Sequence, residues 1–418
     1  MAMTSDVSVN MKEALLTRTI EAISLDGLDG FTLRSVATNA GCSTAVVFQN
    51  FAGKAKLIEA AMDSAFEKDR EFHDALTADI GTVALGLDGL AALISGYIEL
   101  RATRTVPPFW SEILLKHAGL DSPGVSLHRW IEMRVEFWAG RLIAFGLDGT
   151  LAPILHTYIL MEEVYSYALH DRIEYILMLR ETTRALAERY FGAPPRPCES
   201  AVSQWASDNE SRFRIRAENA DGSALRERLM AFAIDDIIAH GIPGLNLKKI
   251  AKQANASLSM IAYHFGDTES FVNEAVWRAL VQGIPIEVDP NRADGMPLAA
   301  IDDWTQLLAR LIRPRQEQAR PGFYVGVARL IGQAALFARR RKDLLPVILH
   351  LRKIEGAGTF RASQTIWPTG LTIERSAATV FGIWIKGQAI LNDTCAAISP
   401  AGCDDILKSV SFLYTQET

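Results

Sequence analysis

The N-terminal fifty residues place apolar and polar positions with the period of an α-helix. Between Lys12 and Asp26 one apolar stripe is formed by Leu15, Leu16, Thr19, Ile20 and Ile23. A shorter stripe with the spacing i, i+3, i+4, i+7 runs from Leu33 to Ala40. Because each stripe must be buried against another element, the pattern predicts two helices that pack together. Residues 1–9 precede the first stripe and are predicted to form a loose tail.

Residues with special backbone preferences separate these helices. Gly27 follows the first stripe at a position typical of a helix C-cap. Thr32 precedes the second stripe, where its side-chain oxygen can accept a free backbone N–H. The break Gly41-Cys42-Ser43 follows, in which glycine tolerates positive φ and the serine can cap a third helix that ends at Phe51. Two helices joined by such a short turn are typical of a helix-turn-helix.

The same stretch occurs a second time. Residues 27–51 and 241–265 align without a gap at a constant offset of 214 residues (241 less 27). The identical pairs include Leu33/Leu247, Ala37/Ala251, Ala40/Ala254, Ser43/Ser257 and Phe51/Phe265. Thr32 is replaced by Asn246, which is also a good N-cap residue. Since the offset is about half of the 418 residues, the chain is predicted to contain two copies of one architecture, head to tail.

The order of these features carries a family resemblance. It consists of an amphipathic helix, Gly27-x-x-Gly30-Phe31-Thr32-Leu33, a short helix, Ala40-Gly41-Cys42-Ser43, a helix ending in Phe51, and Lys54 opening a long helix. This order resembles the N-terminal domain of TetR-family transcriptional regulators. The resemblance covers residues 10–60, and residues 224–275 mainly through their alignment to the first copy.

The resemblance implies an all-α fold of two tandem TetR-like halves that form an intramolecular pseudo-dimer. Each half would contain a three-helix helix-turn-helix domain and a helical ligand-binding, dimerisation-like domain. The implied domains are 1–53 and 54–191 in the first half, a linker at 192–222, and 223–267 and 268–418 in the second half. In the family, the last two helices form a four-helix bundle, which here would use 151–190, 373–392 and 400–415.

The sequence departs from the family pattern at several positions. A tyrosine late in the recognition helix and a lysine opening the fourth helix commonly contact phosphates. The tyrosine position holds Phe48 and Ala262, with Tyr263 one step away, and the lysine position holds Lys54 in one copy and Thr268 in the other. Ala45 and Ser259 stand where glycine is usual. The two copies are therefore expected to recognise different bases, and the second to bind phosphates more weakly.

The second helix of each motif is expected to enter the major groove of DNA. Both motifs are locally net positive, which favours phosphate contacts although the chain has a net charge of −6. Contacts to bases or nearby phosphates are expected from Ser43, Thr44, Ala45, Gln49 and Asn50 and from Ser257, Ser259, Met260, Tyr263 and His264. Phosphate contacts are expected from Thr32, Arg34 and Lys54 and from Asn246, Lys248 and Lys249. A solvated His264 is the alternative for that residue.

The rest of each half contains helical patterns rich in aromatic residues. Such rings usually serve helix packing alone, and the alternative is a ligand cavity lined by rings. The cavity candidates are Trp110, Trp130, Trp138, Tyr158, Trp304, Phe323 and Phe337. The Pro-rich, polar residues 192–222 predict an extended spacer. The run Arg339-Arg340-Arg341-Lys342 is either a solvated helix end neutralised by Glu and Asp or a functional site. Such a site would bind an anionic ligand, such as the phosphates of a CoA thioester, or the DNA backbone.

Several function classes are disfavoured. The four cysteines have no C-x-x-C spacing, which indicates a reducing, cytoplasmic setting without structural zinc. Residues 1–9 lack a signal-peptide pattern, and no apolar run reaches the roughly 18–20 residues of a membrane span. His156, Glu163 and His170 lie seven residues apart, too distant for one metal ion without help from other helices. No hydrolase, P-loop or dinucleotide-binding motif is found, so no enzyme, catalytic residue, cofactor or metal site is predicted.

These observations favour a ligand-responsive DNA-binding regulator, a repressor released from a non-palindromic operator by an apolar or aromatic small molecule. The partners would be double-stranded DNA and the effector, with the chain acting as a monomeric pseudo-dimer and further self-association left open. In one alternative only the first half binds DNA and the second is structural. In the other, the protein is a helical small-molecule-binding protein whose helix-turn-helix domains no longer bind DNA. Phe48, Ala262 and Thr268 favour the alternatives.

Overall fold

The computed structural model describes residues 3–83, 85–116, 123–193, 202, 204–205, 223–242, 245–282, 301–315, 321–368, 370–395, 411 and 415–416. Within these residues the fold is all-α, as predicted, apart from a short antiparallel pair of β1 (Leu371–Thr372) and β2 (Thr415–Gln416). The last segment predicted for the four-helix bundle, 400–415, lies almost entirely outside the described residues.

Nine helices of the first half (residues 1–191) are described. They are α1 (Met3–Gly30), α2 (Leu33–Asn39), α3 (Thr44–Phe51), α4 (Lys54–Ile80), α5 (Gly86–Ala102), α6 (Val106–Lys116), α7 (Pro123–Ala144), α8 (Ala152–Leu169) and α9 (Ile173–Tyr190). A 3₁₀ turn at Gly149–Leu151 precedes α8.

The described helices of the second half (residues 223–418) follow a similar order. They are α10 (Ala224–His240), α11 (Leu247–Gln253), α12 (Leu258–Phe265), α13 (Thr268–Val281), α14 (Ile301–Leu311), α15 (Phe323–Ala338), α16 (Leu345–Ile354), α17 (Ala357–Thr365) and α18 (Arg375–Cys395). A 3₁₀ turn at Lys342–Leu344 precedes α16. As predicted, Lys54 and Thr268 open the helices that follow the two helix-turn-helix motifs.

The first helix confirms its predicted stripe and corrects its predicted start. Leu15, Ile20 and Ile23 are buried, and Gly27 breaks the helix with a φ of 71°. The predicted loose tail at residues 1–9 is wrong from Met3 onward, where α1 already begins. No Gly or Pro separates Met3 from the stripe, so the helix extends toward the N-terminus at little cost.

Helices of the two halves share one apolar core. On the first-half side this core uses α8 and α9, and on the second-half side it uses α15, α16 and α18. Helix α18 approaches α8 so closely at Gly387 that an added Cβ would collide with the carbonyl oxygen of Thr157. Gly332 on α15 likewise leaves room for the Leu115 side chain of α6. Small residues at these two positions therefore allow the close contact between the halves.

The predicted extended spacer needs a partial correction. Residues 202, 204 and 205 are helical. The Trp205 ring is half-buried, and the Nζ of Lys353 lies 4.5 Å from its centroid. An apolar ring gains free energy by leaving water, so this part of the segment packs on the protein.

Candidate nucleic-acid interface and ligand site

The first helix-turn-helix is held by short-range hydrogen bonds. The Oγ1 of Thr32 accepts the backbone N–H of Ser35 at 3.1 Å, which confirms the predicted N-cap of α2. Gly41 adopts a φ of 69° in the turn, and the N–H of Cys42 bonds back to the carbonyl of Ala37 at 2.9 Å. Ser43 occupies the N-cap position of α3 in extended backbone, but its side chain makes no capping hydrogen bond.

The second helix-turn-helix repeats this geometry with different residues. The Oδ1 of Asn246 accepts the N–H of Lys249 at 3.1 Å, the capping bond predicted from the alignment. Asn255 supplies the positive φ of 54° that glycine supplies in the first copy. The N–H of Ala256 bonds to the carbonyl of Ala251 at 2.8 Å. Ser257 again makes no side-chain cap, and its Oγ lies 2.7 Å from the Oγ of Ser259.

Each motif exposes one face of its second helix. In α3, Val47 and Phe51 are buried, while Phe48 is 55% exposed. In α12, Ile261 is buried and Tyr263 is 79% exposed. A large exposed ring therefore lies on each helix, displaced by one position between the copies. In the sequence, Phe48 is recognisable only as a departure from the family pattern. The exposure of its ring was not predicted.

Most candidate DNA-contacting residues are exposed. The exposed ones are Thr32, Arg34, Ser43, Thr44, Ala45, Gln49, Lys54, Asn246, Lys248, Lys249, Ser257, Ser259 and Tyr263. Asn50, Met260 and His264 are half-buried. The amide of Asn50 donates to the carbonyl of Val46 at 2.8 Å. The imidazole of His264 lies 3.4 Å from the Oγ of Ser223 and packs on the Tyr263 ring.

The candidate phosphate-binding cations differ in how they are held. The Nζ of Lys54 donates to the carbonyl of Phe31 at 2.9 Å and sits 4.9 Å from its ring centroid. Lys249 forms an ion pair with Asp236 at 2.6 Å. Arg34 and Lys248 are exposed, and no ion pair to either is found within the described residues. At equivalent positions of the two motifs, Arg34 and Lys248 thus each have no ion pair among the described residues.

The aromatic candidates of the first half lie in the core. The rings of Trp110 and Trp130 are 4.7 Å apart, and Trp138 packs on Tyr97 at 5.0 Å. The hydroxyl of Tyr158 donates to the Oγ1 of Thr182 at 2.9 Å. All four candidates are almost fully buried. The structure brings Trp110 and Trp130 together, and Tyr158 lies on α8, which packs against the second half.

In the second half, the Trp304 ring packs on that of Trp367 at 4.5 Å. Phe323 is half-buried next to Tyr324, at 5.3 Å. Phe337 is also half-buried, and the guanidinium of Arg340 lies 5.2 Å from its ring centroid. These three candidates contact different neighbours, and whether any of them meets a ligand stays a prediction.

A buried charge network beside Trp130 was not anticipated from the sequence. Asp69 accepts hydrogen bonds from Arg101 at 2.6 Å, Trp130 at 2.6 Å and Arg134 at 2.9 Å. Glu163 pairs with Arg101 at 2.5 Å and Arg134 at 3.5 Å. Burial alone would raise the pKa of Asp69, but the two guanidinium groups outweigh it and hold this pKa well below its usual range.

Two buried histidines lie close to this network. The Nε2 of His73 lies 2.9 Å from the hydroxyl of Tyr97, and its Nδ1 lies 2.6 Å from the carbonyl of Asp69. Burial lowers the pKa of His73 to about 3, against the attraction of Asp69. Burial and the nearby Arg134 lower the pKa of His156 to about 3 as well. Both rings are therefore neutral at pH 7.

The basic run of the second half is partly neutralised by Glu and Asp side chains, as the first of its two interpretations predicted, and it also contacts the first half. Arg339 donates to the carbonyl of Ser24 at 2.6 Å, close to the Gly27 break of α1. Arg340 lies 3.7 Å from Glu112, and Arg341 pairs with Asp343 at 2.6 Å. Cations are stabilised at a helix C-terminus by the helix dipole. Two of these arginines thus connect α15 to the first half.

The described part of the chain contains no group of three or more His, Cys, Asp or Glu side chains placed to hold a metal ion. None of its helices is both long enough and apolar enough to cross a bilayer. A comparison of the chain with known protein families finds no match, and a comparison with curated proteins finds none either.

Proposed function

We propose that this protein is a ligand-responsive, DNA-binding transcriptional regulator, a cytoplasmic repressor built from two TetR-like halves in one chain. The observation that carries the proposal is the repeated helix-turn-helix. Two motifs 214 residues apart share the same caps, turn hydrogen bonds and exposed second-helix face. An exposed short helix after such a turn is the element that enters the major groove in this class of motif.

The contact between the halves supports an intramolecular pseudo-dimer. Helices α8 and α9 pack on α18 of the other half. Arg352 of α16 pairs with Glu162 of α8 at 3.0 Å, and both side chains are buried. Because both partners belong to one chain, the pairing costs no entropy of association.

The two motifs present different side chains, so the preferred operator is non-palindromic. The exposed face of α3 offers Thr44 and Gln49, whereas that of α12 offers Ser259 and Tyr263. Amide and hydroxyl groups recognise different base edges. Arg34 and Lys248 occupy equivalent positions of α2 and α11 and supply phosphate contacts.

The long helix α4 provides the coupling between effector and DNA. It begins at Lys54, next to the first helix-turn-helix, and carries Asp69 of the buried network four turns later. An effector that shifts α4 moves α3 with it. Effector and DNA then oppose each other reciprocally, because the coupling free energy is shared by both ligands.

The first test is selection of duplexes from a random pool by the purified chain, with the complex sized by light scattering. One chain on an asymmetric site is the expected result. A palindromic site to which both halves contribute equally contradicts the proposal. A palindrome bound by two chains indicates that one helix-turn-helix per chain recognises DNA and the other is structural.

The same complex tests the two phosphate contacts. Arg34→Ala and Lys248→Ala are each expected to weaken binding to every sequence and to reduce the salt slope by about 1. Arg180→Ala is the control, because this exposed arginine lies on α9, outside both motifs. An unchanged slope for Lys248→Ala alone would restrict DNA binding to the first half.

A helical small-molecule-binding protein without DNA affinity is the second candidate. It is favoured by the internal bonds of Lys54 and Lys249 and by Phe48, which lacks the hydroxyl of a tyrosine. Absence of any enriched sequence in the selection would favour this candidate.

A further inference from the structure

A cleft of about 370 Å³ lies between the first helix and the body of the first half. We name it the α1–α4 cleft. Its walls come from α1, α4, the end of α5 and the start of α6. The lining residues on which the argument depends are Ile20, Glu21, Lys68, Phe72, Arg101 and Arg104. The volume is at the lower end of small-molecule sites, and none of the aromatic residues proposed from the sequence contributes to it.

The cleft carries an excess of positive charge. Lys68 and Arg104 are exposed, and no carboxylate lies within ion-pair distance of either among the described residues. Glu21 is already paired with Arg18 of the same helix at 2.7 Å. Asp69 is neutralised by the two arginines of the buried network. An anion is therefore attracted to this cleft.

Arg101 is the second observation that indicates a ligand. Its side chain is 1% exposed, and its Nε and Nη1 bind Glu163 and Asp69. Its Nη2 has no hydrogen-bond partner in the described part of the chain. A buried guanidinium N–H without an acceptor is unfavourable, and a carboxylate oxygen entering the cleft is the acceptor that it prefers.

The remaining wall is apolar. Ile20 and Pro107 are buried, while Phe72 and Val106 are half-buried. The Phe72 ring lies 4.4 Å from the guanidinium carbon of Arg104 and 5.3 Å from that of Arg101. A flat apolar group thus finds a ring and aliphatic side chains beside the positive charges.

We propose that the α1–α4 cleft binds a small aromatic carboxylate, with its carboxylate toward Lys68, Arg101 and Arg104 and its ring against Phe72. The proposal rests on the proposed function, for which it names the effector class. Because Ile20 and Glu21 belong to α1, the ligand lies directly between the first helix-turn-helix domain and α4. The ligand changes the position of the first motif without contacting the second.

The test is calorimetric titration of the full chain, without DNA, with phenylacetate and with its neutral amide, phenylacetamide. Binding of phenylacetate at least tenfold tighter than phenylacetamide is expected. The variant Lys68→Gln/Arg104→Gln should weaken phenylacetate binding at least tenfold, while Arg180→Gln on α9 should leave it unchanged. Circular dichroism and the unfolding midpoint establish that both variants remain folded.

Equal binding of acid and amide, no binding of phenylacetate, or unchanged affinity in the double variant each overturns the proposal. Inorganic phosphate is titrated in parallel, and phosphate that competes fully with phenylacetate would indicate a simple anion site instead. If phenylacetate binds as expected but the chain selects no DNA, the proposed function fails while the carboxylate site stands. If DNA is selected but phenylacetate does not bind, the carboxylate site fails while the proposed function stands.

Discussion

The two halves place their buried charges differently. In the first half, Asp69, Arg101, Arg134 and Glu163 come from four helices of that half and neutralise one another. In the second half, Arg352 reaches across to Glu162 of the first half. Arg329 donates to the carbonyl of Leu115, and Arg339 to that of Ser24. The four-residue network of the first half closes within that half. The second half also has internal pairs, Lys386–Glu355 and Arg329–Asp393, but in addition directs three arginines to its neighbour.

The two halves also differ in the helix that follows each helix-turn-helix. The first half has a charged cleft and a connecting helix of 27 residues. The equivalent helix of the second half has 14 described residues. Because burying a charge without a partner is costly, the partners of the buried charges constrain how each half packs.

The largest expected effect comes from breaking the internal network of the first half. Asp69→Asn keeps the volume but removes the charge that Arg101 and Arg134 share. We expect a loss of about 3–5 kcal/mol in the free energy of unfolding, because buried guanidinium groups lose a compensating carboxylate. Urea unfolding measures it. Asp63→Asn, an exposed position of the same helix, should change stability by less than about 0.5 kcal/mol.

The next effect concerns the contact between the halves. Arg352→Met leaves Glu162 buried without its cation, and we expect a loss of about 3 kcal/mol. The double variant Glu162→Gln/Arg352→Met should recover at least half of this loss, since no uncompensated charge remains. A double-mutant cycle in urea measures the coupling. Additive effects of the two substitutions would show that the pair does not couple the halves.

We expect the free energy of unfolding to fall in acid mainly because of histidines in the first half. His73 and His156 have a folded pKa of about 3, against 6.5 as the ordinary value. Between these values the unfolded chain binds more protons, so the free energy of unfolding falls as the pH falls. From pH 7 to 5.5 we expect a loss of about 1 kcal/mol for each histidine. Burial lowers the pKa of His350 in the second half to about 4. This histidine therefore also lowers the free energy of unfolding as the pH falls.

The contribution of His156 is tested by measuring the free energy of unfolding against pH for His156→Gln and for the unchanged chain. The variant should lose about 1 kcal/mol less over that pH interval. Parallel curves would mean that His156 is protonated equally in the folded and unfolded chain.

The smallest expected effect comes from removing the two helix caps. Thr32→Ala and Asn246→Ala each remove a side-chain bond to a free backbone N–H. Each should cost about 1 kcal/mol of unfolding free energy. Ser43→Ala should cost less than about 0.5 kcal/mol, since Ser43 makes no capping bond. A larger cost at Ser43 than at Thr32 would contradict this ranking.

The sequence predicted local features well because they depend on neighbouring residues. The caps at Thr32 and Asn246, the break at Gly27 and the helix starts at Lys54 and Thr268 all follow from short-range backbone chemistry. The buried network does not, because Asp69 and Glu163 belong to distant parts of the chain and meet only through tertiary packing.

Glu162 and Glu163 illustrate this limit. They are adjacent in the sequence, where Glu163 is considered only as a metal ligand and is disfavoured by its spacing from His156 and His170. Successive residues of a helix point about 100° apart. Glu163 therefore faces Arg101 inside the first half, while Glu162 faces Arg352 of the second half. The sequence shows two adjacent glutamates. Only the fold shows that one has its partner in the first half and the other in the second half.

The pair of Glu162 and Arg352 also constrains how the chain is made. The two residues are 190 positions apart. At ribosomal rates of about 5–20 residues per second, Arg352 follows Glu162 by roughly 10–40 s. Throughout that interval the nascent first half holds a carboxylate whose cation has not been synthesised, on a helix whose apolar face is still uncovered. We expect the Glu162 carboxylate to stay hydrated during that interval, because burying it without a partner is costly.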